Sequence, residues 1–156
     1  MAESDSKPEG CGCPPTAPAV PAIGGVHHVF LTVNDLKQSR AFYGQLMPRV
    51  GYPAVWEYPG AVDSVGFMGN GGSLWLKQAA ERFAGETFAK ERVGLCELAF
   101  RAESREQVDA LARDVVAFGG TILDSPREYP EYVPGYYAVF FADPDGIKLE
   151  LVHIPG

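Results

Sequence analysis

The sequence predicts an α+β fold built from two paired βαβββ modules that enclose one cavity. Two observations carry the expectation. The order strand, helix, three strands occurs twice, over 24–78 and again over 93–154, with a polar, Ala-rich linker at 79–92. Within each half, strand segments alternate apolar and polar residues at period two, and helical segments place apolar residues at helical spacing. A chain of 156 residues has room for one compact domain of this kind, here 23–154.

In the first half, 26–33 reads as a strand with Val29, Leu31 and Val33 on one face and His28, Phe30 and Thr32 on the other. Asn34 or Asp35 caps a helix whose apolar stripe is Leu36, Ser39, Tyr43, Leu46, Met47 and Val50. Three short strands follow near 53–58, 62–68 and 72–78, separated by Pro59-Gly60 and by Gly69-Asn70-Gly71-Gly72. The last of them sets Leu74 and Leu76 against Ser73, Trp75 and Lys77.

The second half repeats the order. A strand at 93–101 sets Cys96, Leu98 and Phe100 against Glu97, Ala99 and Arg101. Ser104-Arg105-Glu106-Gln107 has the form of a capping box, and Val108, Leu111, Ala112, Val115 and Val116 form the stripe of the helix it opens. Gly119-Gly120 closes that helix, and strands near 121–127, 136–142 and 147–153 complete the set. The turn before the last strand, Asp143-Pro144-Asp145-Gly146, combines a preset φ, an Asx side chain and a glycine that accepts positive φ. It fixes the register of a strand that carries Glu150 opposite Leu149 and Leu151.

A formal net charge of -7 excludes a basic stripe for nucleic acid. No apolar run has the length of a membrane span, and the N-terminus lacks a basic, apolar leader, so the expected location is cytoplasmic. Residues 1–22 are rich in Pro, Ala, Glu and Ser and are expected to be a disordered tail. They carry Cys11-Gly12-Cys13, which together with Cys96 makes an odd count unsuited to a disulfide framework.

Superposing the halves sets His28 opposite Glu97 on the first strands and Trp75 opposite Glu150 on the last. All four fall on the face away from the helices. His27, His153 and Cys96 fall on the helix side and read as packed residues. Two carboxylates and an imidazole facing one cavity call for a compensating cation. Either a metal supplies it, or Glu97 pairs with Arg101 and Glu150 with Lys148.

The chain over about 24–154 resembles the vicinal oxygen chelate superfamily, which holds glyoxalase, bleomycin resistance and extradiol dioxygenase proteins. The resemblance rests on the run from His28 to Leu36 followed by Phe42-Tyr43, on Glu97-Leu98-Ala99-Phe100, and on 136–141 leading into Asp143-Pro144-Asp145-Gly146 and Glu150. It implies one divalent metal held by His28, Glu97 and Glu150, with Glu in place of the usual second His and with Trp75 where some members have a fourth ligand. Mn, Fe(II), Zn or Ni would suit such a set, with Glu97 a possible base. Phe30, Trp75, Arg101 and Tyr137 are the candidate substrate contacts. Of Tyr136 and Tyr137, alternation turns only one inward. The implied activity is a glyoxalase-like lyase or isomerase acting on an oxygenated small molecule that chelates the metal. An extradiol-type dioxygenase and a non-catalytic, bleomycin-resistance-like binding protein are the alternatives. A homodimer is the implied assembly.

Overall fold

The computed structural model describes residues 25–58 and 63–155. The Cys11-Gly12-Cys13 tail and the Pro59-Gly60 turn lie outside the described residues. The first module contains β1 (His28–Val33), α1 (Leu36–Leu46), β2 (Ala54–Tyr58), β3 (Ser64–Gly69) and β4 (Gly72–Gln78). The second contains β5 (Leu98–Arg101), α2 (Arg105–Val115), β6 (Thr121–Glu128), β7 (Tyr137–Ala142) and β8 (Lys148–His153). Each module forms one four-stranded sheet, ordered β1-β4-β3-β2 and β5-β8-β7-β6. In both, the first strand runs parallel to the last and the other pairs are antiparallel. The duplication read from the sequence is therefore a duplication of topology.

Local chemistry explains the helix boundaries. The Asp35 carboxylate accepts the Gln38 N–H at 2.9 Å, satisfying a free donor at the start of α1. The helix tightens into a 3-10 turn at Met47–Val50 and stops at Gly51, whose φ of 92° favours glycine. At α2, the Ser104 hydroxyl accepts the Gln107 N–H, while the Gln107 side chain reaches back to the Glu103 N–H.

Both sheets turn the same kind of face inward. Leu31, Val33, Val65, Phe67, Leu74 and Leu76 of the first sheet share one core with Phe100, Val139, Phe141, Leu149 and Leu151 of the second. The buried faces of α1 and α2 complete it. Each fully buried residue of this size contributes about 1.5–3 kcal/mol, against about 0–1 for an exposed ion pair. The shared core thus decides how the modules meet. Polar groups then fix the junction: the Tyr43 hydroxyl donates to Asp143, and the Asn34 side chain and backbone N–H both donate to Asp145.

Strand β5 is shorter than its pattern implies. It begins at Leu98, and Gly94, at φ 138°, lies in the non-strand segment before it. Cys96 is consequently exposed rather than packed in the core. His27, also expected on the helix side, precedes β1 and is exposed.

Candidate functional site on the two open sheet faces

The face of each sheet that is turned away from the core carries the candidate residues. On the first sheet, pairing aligns Phe30, Trp75, Gly66 and Trp56 in one row across all four strands. His28, Ser73, Met68 and Ala54 form the next row. Residues directly opposite one another project to the same side, so this face is an aromatic floor edged by an imidazole. Phe30 and Trp75 stack with centroids 5.6 Å apart and planes 20° apart, and His28 meets Phe30 edge-on at 5.7 Å. A cavity of about 720 Å³ lies over this floor, lined by His27, His28, Phe30, Met68 and Trp75 among others.

Two contacts hold the Trp75 indole flat. Its N–H donates to the Ser73 hydroxyl at 2.9 Å. Its ring lies over Gly66, where an added Cβ would come within 2.8 Å of three ring atoms. Glycine at 66 therefore serves as the seat of the ring. The Nδ1 atoms of His27 and His28 lie 2.9 Å apart and share a hydrogen bond. That bond occupies one ring nitrogen of His28 and orients Nε2 as the atom that could ligate.

On the second sheet, Ala99, Glu150, Phe140 and Asp124 form the corresponding row. Glu150 is only 2% exposed. The Tyr136 hydroxyl donates to its Oε1 at 2.5 Å. Burial pushes the Glu150 carboxyl above the usual range. The Tyr136 hydrogen bond pulls it back, the nearby charge of Glu97 adds to the rise, and Lys148 opposes it. The Tyr136 phenol is itself raised above its ordinary value, first by burial and then by Glu150. The Lys148 ammonium sits 2.5 Å from Glu97 and 4.2 Å from the centre of the Phe140 ring. The lysine therefore pairs with Glu97 and acts on Glu150 through its charge alone.

Tyr129, Tyr132 and Tyr136 pack edge-on or stacked above this row, with Tyr129 against Phe140 at 5.2 Å. They line or border a second cavity of about 580 Å³, bounded also by Arg127 and Lys148.

The structure thus brings Glu97 and Glu150 together and gathers His28, Phe30 and Trp75, but it places these two groups on different faces of the chain. Among the described residues, no three His, Cys, Asp or Glu side chains of one chain gather into a metal-holding cluster. The ion pair alternatives sort differently from either expected pair: Lys148 joins Glu97, and Glu150 turns to Tyr136. Arg101 is exposed and in register with Val152. Tyr137 belongs to the helix side, where its hydroxyl donates to Asp109 and Arg105 lies over its ring at 5.0 Å. Tyr136 is the inward tyrosine. It shares parity with Ala138 and Phe140, and that parity was the available signal. His153 lies at the end of β8, 3.4 Å from the Ala102 carbonyl.

Comparison with known proteins decides the family. The model for the glyoxalase/bleomycin resistance protein/dioxygenase superfamily matches residues 25–151. The chain belongs to this superfamily. It is 39% identical over 127 residues to the uncharacterized protein YqjT of Bacillus subtilis, covering 81% of this chain and 97% of that one. Among solved structures, a candidate glyoxalase from Bacillus halodurans is 34% identical with a TM-score of 0.69, covering 85% of this chain and 97% of the other. A glyoxalase/bleomycin resistance protein from Albidiferax ferrireducens is 26% identical with a TM-score of 0.67, covering 82% and 98%. The fosfomycin resistance protein FosX of Listeria monocytogenes shares the fold at 22% identity, with a TM-score of 0.61 and coverage of 85% and 95%. Superfamily membership accounts for the paired βαβββ modules, and it carries an expectation of a small-molecule ligand. No helix among the described residues is long and apolar enough to cross a membrane.

Proposed function

We propose that the protein is a metal-dependent superfamily enzyme with lyase or isomerase chemistry on an oxygenated small molecule, and that its site forms across a homodimer. The observation that carries this is the division of the donors. Glu97 and Glu150 lie together on the outer face of the second sheet, with Glu150 beneath Tyr136, and His28 lies on the outer face of the first, its Nδ1 engaged by His27 and its Nε2 outside that bond. A second copy laid with its first sheet over the second sheet of its partner would join them. The donor chemistry fits a divalent cation: one imidazole and two carboxylates, of which Glu150 is buried and electron-rich with only one lysine nearby. Bound there, the metal would act as a Lewis acid on the vicinal oxygens of the substrate.

The chain's own residues have separate tasks in this reading. Tyr136 fixes the orientation of Glu150 through its hydroxyl. Lys148 balances the charge of Glu97. Glu97, more exposed than Glu150 and paired with Lys148, is the carboxylate placed to leave that pairing and take a proton from the substrate. Turnover by Glu97→Gln at the wild-type rate would remove it from that role.

A metal-free binding protein is the second reading, and the Lys148–Glu97 pair favours it, because an ammonium already stands beside the carboxylate. Elemental analysis separates the two. Protein purified without chelators is expected to carry close to one divalent ion per chain, and His28→Ala and Glu150→Gln each to carry none. Mixing these two variants to form heterodimers should restore one intact site per pair. A ratio near zero after reconstitution with Mn, Zn, Ni and Fe(II) would sink the enzyme reading; a metal-bound monomer would sink the shared site.

A further inference from the structure

We infer that the aromatic floor of the first sheet is a subsite for an uncharged, planar, conjugated ring of the substrate. The inference rests on the reading above that this face lines the substrate cavity. It goes further by naming the class of molecule.

Three observations carry it. First, the floor is preorganised. Trp75 is pinned by the Ser73 hydroxyl and seated on Gly66, and Phe30 lies beside it with planes only 20° apart. The two rings stack on one another, so they offer the cavity an already oriented π face on which a planar ligand can lie with little further loss of rotamer freedom. Second, the cavity carries no fixed charge. Among the described residues lining it there is no Lys, Arg, Asp or Glu. Lys77 shares a row with Thr32, Ser64 and Tyr58; Ser64 and Tyr58 line the cavity and Lys77 does not. A charged group placed here would lose hydration without gaining a partner. Third, Phe30 remains 49% exposed and Met68 lines the cavity beside the floor. A large aromatic left open to a cavity is a surface awaiting an apolar contact, and a thioether adapts to the edge of a ring. The polar end of such a ligand would then lie toward His28, which meets Phe30 edge-on.

The test uses the full-length chain treated with EDTA, so that chelation does not enter. The chain has two tryptophans, so Trp56→Phe leaves Trp75 as the only indole reporter. In that background, naphthalene-2,3-diol is titrated against decahydronaphthalene-2,3-diol, which keeps the two vicinal oxygens and the carbon count but loses planarity. The aromatic diol is expected to quench Trp75 and to bind about tenfold more tightly, the scale of one or two stacking contacts. Calorimetry on Phe30→Leu and on Trp75→Leu should show most of that preference lost, with affinity for the aromatic diol falling further than affinity for the saturated one. Phe30 lies on the exposed face, so its variant keeps the test valid if Trp75→Leu does not fold. Equal affinity for the two diols, or a preference untouched by Phe30→Leu, overturns the inference. Metal content plays no part in this titration, so a failure of the metal reading is seen separately by elemental analysis.

Discussion

The hydroxyl of Tyr43 on α1 donates at 2.9 Å to Asp143 at the end of β7, and both residues are buried. The other oxygen of Asp143 accepts the N–H groups of Asp145 and Ile147. One carboxylate thus closes the Asp-Pro-Asp-Gly turn and ties it to the opposite module. Burial raises its pKa to about 6, against the lowering effect of these hydrogen bonds. An acid with a raised folded pKa binds more protons in the native state than in the unfolded state. Its contribution to stability is therefore complete below about pH 4 and lost as pH rises to about 6. The unfolding free energy of the wild type minus that of Asp143→Asn should fall by up to about 3 kcal/mol across that window and stay flat above it. Urea denaturation at four pH values checks this, and a flat difference throughout would contradict it.

Removing the donor should be costly in its own right. Tyr43→Phe leaves a buried carboxylate short of one partner, with an expected loss of about 1–3 kcal/mol. In a double-mutant cycle with Asp143→Asn the two losses should be less than additive, because they remove the same bond.

Tyr136→Phe applies the same logic to Glu150, which at 2% exposure has no compensating water to turn to. A destabilisation of about 1–3 kcal/mol is expected. It should shrink in Glu150→Gln, whose neutral amide needs the phenol less. Thermal unfolding of the four proteins measures both terms.

Lys148→Met removes the ammonium that pairs with Glu97 and also favours the charged form of Glu150. The pair is partly exposed, so the loss in metal-free protein should be modest, about 1 kcal/mol. The added negative charge should make the variant gain more from a divalent cation than the wild type does. The rise in Tm on adding Mn²⁺ is therefore expected to be larger in Lys148→Met. An equal or smaller rise would place the cation elsewhere.

Gly69 ends β3 against the first module's own turn. A Cβ there would lie 1.9 Å from the Gly51 carbonyl oxygen and 2.6 Å from the Tyr52 Cα, both backbone atoms with no rotamer to yield. Gly69→Ala should cost more than the 1–3 kcal/mol usual for overpacking. Gly71→Ala meets no atom and bears only the strain of φ 74°, about 1 kcal/mol. Soluble yield and Tm of the two variants should rank accordingly.

Much of this arrangement was legible in the chain. Alternation assigned Leu149 and Leu151 to the core and Glu150 to the other face, Ser104 announced its helix, and of the two cap candidates Asn34 and Asp35 the structure uses Asp35. These are local rules: period two decides sides, and a cap needs only its own first turn. Errors arose where a pattern had no local arbiter. The apolar run before Leu98 looked like strand, yet 94–97 pairs with nothing and leaves Cys96 exposed. Tyr136 and Tyr137 differ only in parity, and the choice between them depended on where β7 begins relative to Glu150 and Asp109.

By itself the sequence determined two βαβββ modules, the faces of His28, Phe30, Trp75 and Glu150, and a carboxylate set in register by the Asp-Pro-Asp-Gly turn. The tertiary structure decided who meets whom. Lys148 joined Glu97 rather than Glu150, and Trp75 found its seat on Gly66, because those partners come from different segments of the chain. Most of all, the helix-side faces of both sheets merged into a single core, which turned His28 and Glu150 onto separate open faces. Burying apolar surface carries no directional information along the chain. Periodicity therefore names the faces that must leave water, and only packing shows which of them do so together.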